Sequence, residues 1–309
     1  MRIIYMGTPE FAVYSLEALI NAGHDVCLVV TQPDKPVGRK AVLSPPPVKV
    51  AAQNHGIEVY QPRRMRDAEA IAYLEKFNPD LIVVASYGQI LPKEVIEMAK
   101  FGCINVHASL LPQYRGASPI QWAIMDGNKE TGVTIMQVVF ELDAGDIISQ
   151  VRVPIEDDDI ADTLFVKLAD AGAKLLTETV VSIENGTAVY TKQDLDKVSY
   201  VSMIKKEDGH LDLNMSAKQL WCRIRGLNSW PVGFVMWEDK PLKFWTATYL
   251  EKNSEYKPGE VCGFEKNALL IQTGDGILSV SEIQAPGKKR MPAGDFLRGA
   301  RMEPGTLLK

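Results

Sequence analysis

The fold of the first half of this chain is decided by the stretch Arg2-Ile3-Ile4-Tyr5-Met6-Gly7-Thr8-Pro9-Glu10. Its apolar run over residues 2–6 predicts a buried strand. The threonine that follows suits the N-cap of a helix, the proline its first position and the glutamate its positive end. Apolar side chains then recur at helical spacing as far as Ile20, and a second strand is predicted from Asp25 to Thr31. Strand, turn, helix and strand in this order are typical of the opening of a doubly wound α/β domain.

Later segments extend the predicted sheet. The continuous apolar run Leu81–Ala85 is typical of a central parallel strand, and residues 104–107 predict a further strand that contains polar residues. The dinucleotide fingerprint G-x-G-x-x-G is missing from the first turn, where Gly7 stands alone. We therefore expect a Rossmann-like α/β domain and infer no dinucleotide. A long, proline-rich and basic loop over residues 33–49 interrupts the pattern, and a loop of this length in a compact domain is usually functional or mobile rather than a neutral surface excursion.

The C-terminal third predicts a different, β-rich domain. A helix over residues 216–225 is followed by five short runs of strand-forming residues, with a hairpin signal at Thr273-Gly274-Asp275-Gly276. Five short strands with turns are typical of a small closed barrel of the OB-like type. We expect a first domain over residues 1–188, a polar linker over 189–206 and the OB-like β-barrel domain over 207–309.

Composition and charge exclude several classes of protein. Of the 309 residues, 46% are hydrophobic and 24% charged, which is typical of a folded globular chain and not of a disordered or fibrous one. No apolar run approaches the roughly 20 residues of a membrane span, and the opening stretch is too short for a signal peptide. The four cysteines form no C-x-x-C pair, which favours a cytosolic chain with reduced thiols. Residues 205–309 carry a net charge of +3 and residues 1–204 one of −8, so the second domain is the better candidate to meet an anion.

Asn105 and His107 are the strongest candidates for chemistry. His107 ends a predicted buried strand, and open α/β sheets bind ligands at the carboxyl ends of their strands. Side chains two residues apart on a strand point to the same face, about 7 Å from each other. Asp143, in the turn Leu142-Asp143-Ala144-Gly145-Asp146, is the natural third partner, although sequence spacing leaves open whether it meets His107 or is a plain turn residue. The other three histidines lie in a turn, at a helix end and beside the linker, where surface or capping roles are expected.

This trio favours direct attack of an external nucleophile on a carbonyl group. No nucleophile elbow is present, and Ser109 lacks an oxyanion-hole motif, so an acyl-enzyme is unsupported. His107 and Asp143 alone are too few ligands for a metal. An asparagine amide suits stabilisation of an oxyanion, and an imidazole suits transfer of a proton.

The segments around the trio resemble the folate-dependent formyltransferases. Their signature is similar to Asn105-Val106-His107-Ala108-Ser109-Leu110-Leu111-Pro112 followed by Tyr114-Arg115-Gly116-Ala117-Ser118-Pro119-Ile120, and their second motif is similar to residues 142–146. The resemblance implies a Rossmann-like formyltransferase domain that uses 10-formyltetrahydrofolate as formyl donor, without a metal, and an OB-like domain that helps to hold a tRNA.

The same resemblance implies roles for individual residues. Asn105 would polarise the formyl oxygen, His107 would act as general base and acid, and Asp143 would orient or electrostatically support the site. The loop that lines the folate pocket would consist of Ser109, Leu110, Leu111 and Pro112.

Further features resemble the family members that formylate a charged tRNA. They are the opening residues 6–12, the loop Thr31-Gln32-Pro33-Asp34-Lys35-Pro36-Val37-Gly38-Arg39 with Pro47-Val48-Lys49, and the C-terminal extension with Trp230-Pro231, residues 273–276 and Pro286-Gly287-Lys288-Lys289. They imply transfer to the α-amine of methionyl initiator tRNA in the cytoplasm, for translation initiation, with Arg39 and its neighbour Lys40 at the acceptor stem. Lys40 stands where the family often has glycine, and Pro45-Pro46-Pro47 replaces Pro-Ser-Pro, so the loop is stiffer and more basic than usual.

Three other functions stay open. The chain could formylate a nucleotide sugar or another small amine, which would not need the Arg39 loop. It could hydrolyse formyl-folate, and would then transfer the formyl group to water without an amine acceptor. It could be a nucleic-acid-binding module with a silent α/β half, against which the complete trio argues. No membrane partner is expected, and nothing in the sequence demands more than a monomer.

Overall fold

The computed structural model describes residues 1–37, 41–265, 267–300 and 302–309. In chain order, the helices and strands of these residues are β1 (Arg2–Gly7), α1 (Glu10–Asn21), β2 (Asp25–Val30), β3 (Lys35–Val37), β4 (Val42–Ser44), α2 (Pro47–Asn54), β5 (Val59–Tyr60), α3 (Ala68–Glu75), β6 (Leu81–Ala85), α4 (Lys93–Ile96), β7 (Cys103–His107), β8 (Arg115–Gly116), α5 (Pro119–Met125), β9 (Glu130–Gln137), β10 (Ile147–Pro154), α6 (Ala161–Glu184), β11 (Tyr200–Val201), α7 (Ala217–Gly226), β12 (Phe234–Trp237), β13 (Lys240–Leu250), β14 (Val261–Glu265), β15 (Ala268–Gln272), β16 (Ile277–Gln284), β17 (Met291–Pro292) and α8 (Ala293–Gly299).

The chain forms two compact units that interleave along the sequence. The first comprises Met1–Gly116, Glu130–Pro154 and Phe165–Val201, and the second comprises Ala117–Lys129, Ile155–Leu164 and Ser202–Lys309. In the first unit, β11 pairs with β8, so part of the segment predicted as a linker over 189–206 is hydrogen-bonded into this unit. In the second unit, α5 packs against α7. Two segments of the predicted first domain over residues 1–188 therefore lie in the second unit.

The first unit is built on a seven-stranded sheet in the order β10-β9-β7-β6-β1-β2-β5. Strands β1, β2, β5, β6 and β7 are parallel, and β9 and β10 run antiparallel to their neighbours. The predicted Rossmann-like α/β fold is thus confirmed. The strand order reverses between β1 and β6, and such a reversal opens a crevice at the carboxyl ends of the strands. Strand β7 lies next to β6, so its carboxyl end borders this crevice.

The turn after β1 differs from its prediction in one detail. The residue at the N-cap of α1 is Pro9, and Thr8 does not cap the helix. Instead, the Thr8 hydroxyl donates a hydrogen bond of 2.8 Å to the carbonyl oxygen of Tyr87, in the loop that follows β6. The residue therefore joins the carboxyl ends of two neighbouring strands, a role that depends on tertiary contact and leaves no local signal.

The predicted loop over residues 33–49 contains regular structure. Strands β3 and β4 pair as an antiparallel hairpin, and α2 begins at Pro47, a position that suits proline because the first turn of a helix needs no N–H donor there. Asp34, at the base of the hairpin, accepts hydrogen bonds of 2.9 Å at both carboxylate oxygens from Lys49 Nζ and one of 2.7 Å from Gln61 Nε2. Residues 38–40, which include Arg39 and Lys40, lie outside the described residues.

The second unit contains an antiparallel sheet in the order β12-β13-β16-β15-β14, with β17 paired to β16. Helix α7 packs on β13 and β16, and the core between them includes the buried side chains of Leu220, Phe244 and Leu278. The predicted hairpin turn over residues 273–276 joins β15 to β16, where the Thr273 hydroxyl donates to the carbonyl oxygen of Gly276 at 2.8 Å. These features confirm the OB-like prediction. Within the described ranges β12 and β14 do not pair directly with each other. The C-terminal residues 305–309 make backbone hydrogen bonds to both of these edge strands, at Met236 of β12 and at Val261 of β14.

No helix among the described residues is long and apolar enough to cross a lipid bilayer.

Candidate active site

Strand β7 positions the first two candidate residues. Its neighbours are β6 and β9, and His107, its last residue, lies opposite Thr134 of β9. The intervening Val106 is buried and lies beside Gly172 of α6 on one face of the sheet. Because side chains alternate along a strand, Asn105 and His107 lie on the other face, as predicted. Asn105 is partly exposed, and within the described part of the chain its side-chain amide forms no hydrogen bond.

The His107 ring is held by a backbone carbonyl. His107 is 7% exposed, and its Nε2 lies 2.9 Å from the carbonyl oxygen of Tyr114. A carbonyl oxygen only accepts hydrogen bonds, so this contact assigns the proton of the neutral ring to Nε2 and leaves the lone pair on Nδ1. Nδ1 lies 3.8 Å from Oδ2 of Asp143. The ring can therefore accept a proton at Nδ1, beside a carboxylate that stabilises the resulting positive charge.

Asp143 reaches His107 from the turn between β9 and β10. Its backbone adopts a left-handed conformation with φ 49°, which aspartate tolerates better than most residues. Its Oδ2 accepts a hydrogen bond of 2.8 Å from the backbone N–H of Gly116. The structure thus brings together His107 and Asp143, whose contact the sequence left open.

Two glycines make this arrangement possible. A Cβ on Gly145 would lie 1.9 Å from the carbonyl oxygen of Gln137, so the Asp143 turn could not pack against β9 with any larger residue there. Gly116 has φ +104°, and a Cβ on it would lie 2.4 Å from the carbonyl oxygen of Val201. Glycine is therefore required where β8 pairs with β11 and offers its N–H to Asp143.

The segment Ser109–Pro112 is fixed mainly by buried hydrogen bonds. Ser109 is fully buried and its hydroxyl donates to the carbonyl oxygen of Gln113 at 2.7 Å, so it has no surface to offer a ligand. Leu111 is also buried, whereas Leu110 and Pro112 are partly exposed. The role of the segment as the wall of a folate pocket stays a prediction, in which Leu110 and Pro112 would supply the contact surface.

Thr134 holds this segment in place. Its hydroxyl donates to the carbonyl oxygen of Ser109 at 2.7 Å and accepts from the backbone N–H of Leu111 at 3.1 Å. Gln150 Nε2 donates to the Thr134 hydroxyl and to the carbonyl oxygen of Leu111, both at 2.9 Å. The side chain opposite His107 on β9 thus fixes the loop that follows His107.

The third side chain on this face of β7 belongs to Cys103. It is 3% exposed, and burial raises the pKa of its thiol well above the ordinary value, so the thiol stays protonated at neutral pH. A protonated thiol is a poor nucleophile, which leaves Asn105 and His107 as the reactive groups of this face. Residues 1–37, 41–265, 267–300 and 302–309 contain no group of three or more His, Cys, Asp or Glu placed to hold a metal ion.

Three contributors to the site carry no distinct signal in the sequence. They are the carbonyl oxygen of Tyr114, the N–H of Gly116 and the side chain of Thr134. The first two are backbone groups, which every residue carries, so side-chain identity gives no signal for them. Thr134 lies inside a run of β-forming residues, where a threonine is unremarkable. The predicted tRNA contacts, Arg39 and Lys40, lie outside the described residues.

Comparison with known proteins identifies the chain as an enzyme of the formyltransferase class. Residues 1–180 match the formyl transferase family, and residues 203–301 match the C-terminal domain of formyl transferases. The chain belongs to the formyl transferase family. Among its relatives is the methionyl-tRNA formyltransferase of Agathobacter rectalis, which is 49% identical over 306 residues. These residues are 99% of this chain and 99% of the relative. The methionyl-tRNA formyltransferase of Bacillus subtilis is 48% identical over 308 residues, which are 99% of this chain and 97% of the relative.

Solved structures share the fold at lower identity. WlaRD, a sugar 3N-formyl transferase crystallised in the presence of dTDP and 5-N-formyl-THF, superposes with a TM-score of 0.69 at 20% identity, covering 94% of this chain and 99% of its own. HypX from Aquifex aeolicus in complex with tetrahydrofolic acid gives a TM-score of 0.61 at 20% identity, covering 98% of this chain and 48% of its own. These likenesses show a common fold.

Proposed function

We propose that this enzyme transfers the formyl group of 10-formyltetrahydrofolate to the α-amine of methionyl initiator tRNA, as a step of translation initiation. One observation carries the chemistry: Nδ1 of His107 lies 3.8 Å from the Asp143 carboxylate, and the His107 side chain shares a face of its strand with the Asn105 amide. The choice of acceptor is supported by the relatives, which are methionyl-tRNA formyltransferases. They are 49% and 48% identical to this chain over nearly their whole length.

In this proposal His107 moves the proton. The folate donor supplies the formyl carbon. An α-amine has a reference pKa of about 7.7, so near neutral pH a fraction of it is already the neutral, nucleophilic form. This nitrogen must lose a further proton as the new C–N bond forms, and a base is needed to take it. Nδ1 of His107 accepts that proton and returns it to the folate nitrogen as the old C–N bond breaks. Asp143 stabilises the ring while it is positively charged.

Asn105 completes the proposed machinery. Negative charge develops on the formyl oxygen when the amine attacks, and a side-chain amide N–H directed at that oxygen stabilises the charge. Asn105 suits this role because its amide is partly exposed and has no hydrogen bond within the described residues. Proton and electrons balance: the amine loses a proton, the departing nitrogen gains one, and His107 ends neutral. The products are formyl-methionyl-tRNA and tetrahydrofolate.

The tRNA is the second part of the proposal. Arg39 and Lys40 would contact its acceptor stem, and residues 205–309, with their net charge of +3, would meet its phosphates. The functional division into a catalytic domain over 1–188 and a tRNA-binding domain over 207–309 belongs to the same proposal. So do the monomeric state and the cytoplasm as the place of action, where charged tRNA is used.

The test offers labelled 10-formyltetrahydrofolate with different acceptors in parallel. The acceptors are methionyl initiator tRNA, free methionine, a nucleotide-linked amino sugar and none. We expect label on the charged tRNA alone. Label on the amino sugar would instead favour a sugar N-formyltransferase, the activity named for WlaRD, which has the same fold. Formate release without an acceptor would indicate a hydrolase, and no turnover of the donor in any tube would refute formyl transfer.

A further inference from the structure

We propose that Gln193 is a positioning residue for this reaction, which fixes the Asp143 turn opposite His107. The inference rests on the proposed function. Gln193 lies in the polar segment that the sequence predicts as a linker, yet it is only 8% exposed. It is separated from Asp143 by 50 residues along the chain. A buried amide in a polar, irregular segment needs partners, and its partners define its role.

One side of the Gln193 amide binds the Asp143 turn. Its Nε2 donates to the carbonyl oxygen of Asp143 at 2.7 Å and to the carbonyl oxygen of Gly145 at 2.8 Å. These two bonds use both hydrogens of the amide nitrogen. They clamp the turn at the residue that carries the carboxylate and again two residues later.

The other side of the amide binds a buried arginine. Gln193 Oε1 accepts from Arg115 Nε at 3.1 Å and from Arg115 Nη2 at 2.8 Å. Arg115 is 1% exposed, and its Nη1 also donates to the Tyr200 hydroxyl at 3.2 Å and lies 3.6 Å from a carboxylate oxygen of Glu141. Carbonyl oxygens only accept and a guanidinium only donates, so the amide has a single possible orientation. Gln193 makes four hydrogen bonds, and none of them could form if the amide oxygen and nitrogen were interchanged.

The Asp143 turn depends on these polar contacts. Two of its side chains, Phe140 and Leu142, are 82% and 58% exposed, so they do not anchor the turn in the core. Strand β8 contacts the turn at three points. Gly116 donates its N–H to the Asp143 carboxylate, Arg115 fixes Gln193 against the Asp143 carbonyl oxygen, and Arg115 Nη1 lies 3.6 Å from the Glu141 carboxylate. Loss of Gln193 frees the backbone of Asp143 itself and leaves its carboxylate bonded to Gly116 alone, so the distance to His107 Nδ1 is less tightly set.

Two substitutions separate the two sides of the amide. Gln193→Glu keeps an acceptor for Arg115 and places a carboxylate oxygen against the carbonyl oxygens of Asp143 and Gly145, which repel it. Gln193→Met keeps the volume and removes all four bonds. For both we expect kcat to fall about tenfold to a hundredfold, the scale expected when a catalytic group is misplaced by about 1 Å. The KM values for the folate and the tRNA should stay within about twofold, because the residue acts on the carboxylate and not on substrate binding.

A double-mutant cycle distinguishes positioning from general stability. If Gln193 acts through the Asp143 carboxylate, Gln193→Glu should lower kcat by less than about threefold in the Asp143→Asn background. The carboxylate that Gln193 positions is already absent there, so the effects of the two substitutions on kcat do not add. Thr179→Val is the matched control: Thr179 is 3% exposed in the same unit, and its hydroxyl bonds to the Leu175 carbonyl and to Ser149, both at 2.6 Å. It should lower the melting temperature and leave kcat unchanged.

The outcomes are separable from those of the proposed function. Wild-type enzyme that formylates another acceptor overturns the proposed function, and the cycle is then run with that acceptor. Active wild-type enzyme with an unchanged kcat in Gln193→Glu overturns the positioning role. Full, multiplicative loss of kcat in the Asp143→Asn background overturns it as well. If Gln193→Met does not fold, Gln193→Glu, which retains the Arg115 pairing, carries the test.

Discussion

Replacement of Thr134 by valine removes one buried hydroxyl and keeps the shape of the side chain. In the structure this hydroxyl satisfies the carbonyl oxygen of Ser109 and the N–H of Leu111. Both are backbone groups of the segment predicted to line the folate pocket. The variant therefore tests whether the hydrogen bonds of one strand residue shape the binding loop.

The expected loss of stability follows from the two backbone groups left without a partner, since the Gln150 amide also loses its bond to the hydroxyl but keeps its bond to the carbonyl oxygen of Leu111. Thr134 is fully buried, so water does not replace its hydroxyl. A buried polar group that loses its partner costs about 1 to 3 kcal/mol, so the two together cost about 2 to 6 kcal/mol. Gln150 still holds the carbonyl oxygen of Leu111, which favours the lower half of this range. Urea unfolding measures the difference.

The binding effect is measured by calorimetric titration with tetrahydrofolate. If the loop lines the pocket, we expect Kd to rise at least about tenfold, which corresponds to about 1.4 kcal/mol. Thr179→Val is the control, since it also replaces a buried threonine of the first unit and lies outside the site. It should lower stability and leave Kd unchanged. An unchanged Kd in Thr134→Val would refute the role of the loop, and unchanged stability would refute the hydrogen-bond argument itself.

Three further predictions concern the base, the tRNA contact and the hairpin. His107→Ala should lower kcat about a hundredfold to ten-thousandfold, the scale of general acid–base catalysis, and leave tRNA affinity as it is; equal loss of tRNA binding in a filter assay contradicts the assigned role. Arg39→Ala should lower kcat/KM for the tRNA more than it weakens folate binding, and steady-state kinetics that show an unchanged kcat/KM speak against the contact. Hydrogen bonds from Gln61 and Lys49 hold the pKa of Asp34 below its ordinary value, so its stabilising effect is complete above about pH 4 and is lost as the pH falls through the lower, folded-state pKa. Asp34→Asn should therefore lower the melting temperature more at pH 7 than at pH 3, and a difference that does not shrink as the pH falls below about 4 would contradict the role of this ion pair.

Local pattern was sufficient for most elements and for the choice of candidate residues. The apolar run Leu81–Ala85 is β6 with the same bounds, and the helix predicted over 216–225 is α7, from Ala217 to Gly226. Periodicity works here because each element buries one face or both, and the residues that do so are neighbours along the chain. The alternation that places Asn105 and His107 on one face is likewise a property of a single strand.

Tertiary structure decided what depends on residues far apart in the sequence. The distance between His107 and Asp143, the capture of Thr8 by the loop after β6, and the burial of Gln193 between Arg115 and the Asp143 turn all join different elements. The hairpin β3–β4 also needs its pairing partner, and proline and charge patterns suggest only a loop there. The sequence alone therefore determined the α/β and β-rich character of the two halves and the residue types able to do formyl-transfer chemistry. Only the folded chain decided which hydrogen bonds hold those residues at reacting distance, because buried polar groups choose their partners by proximity in space.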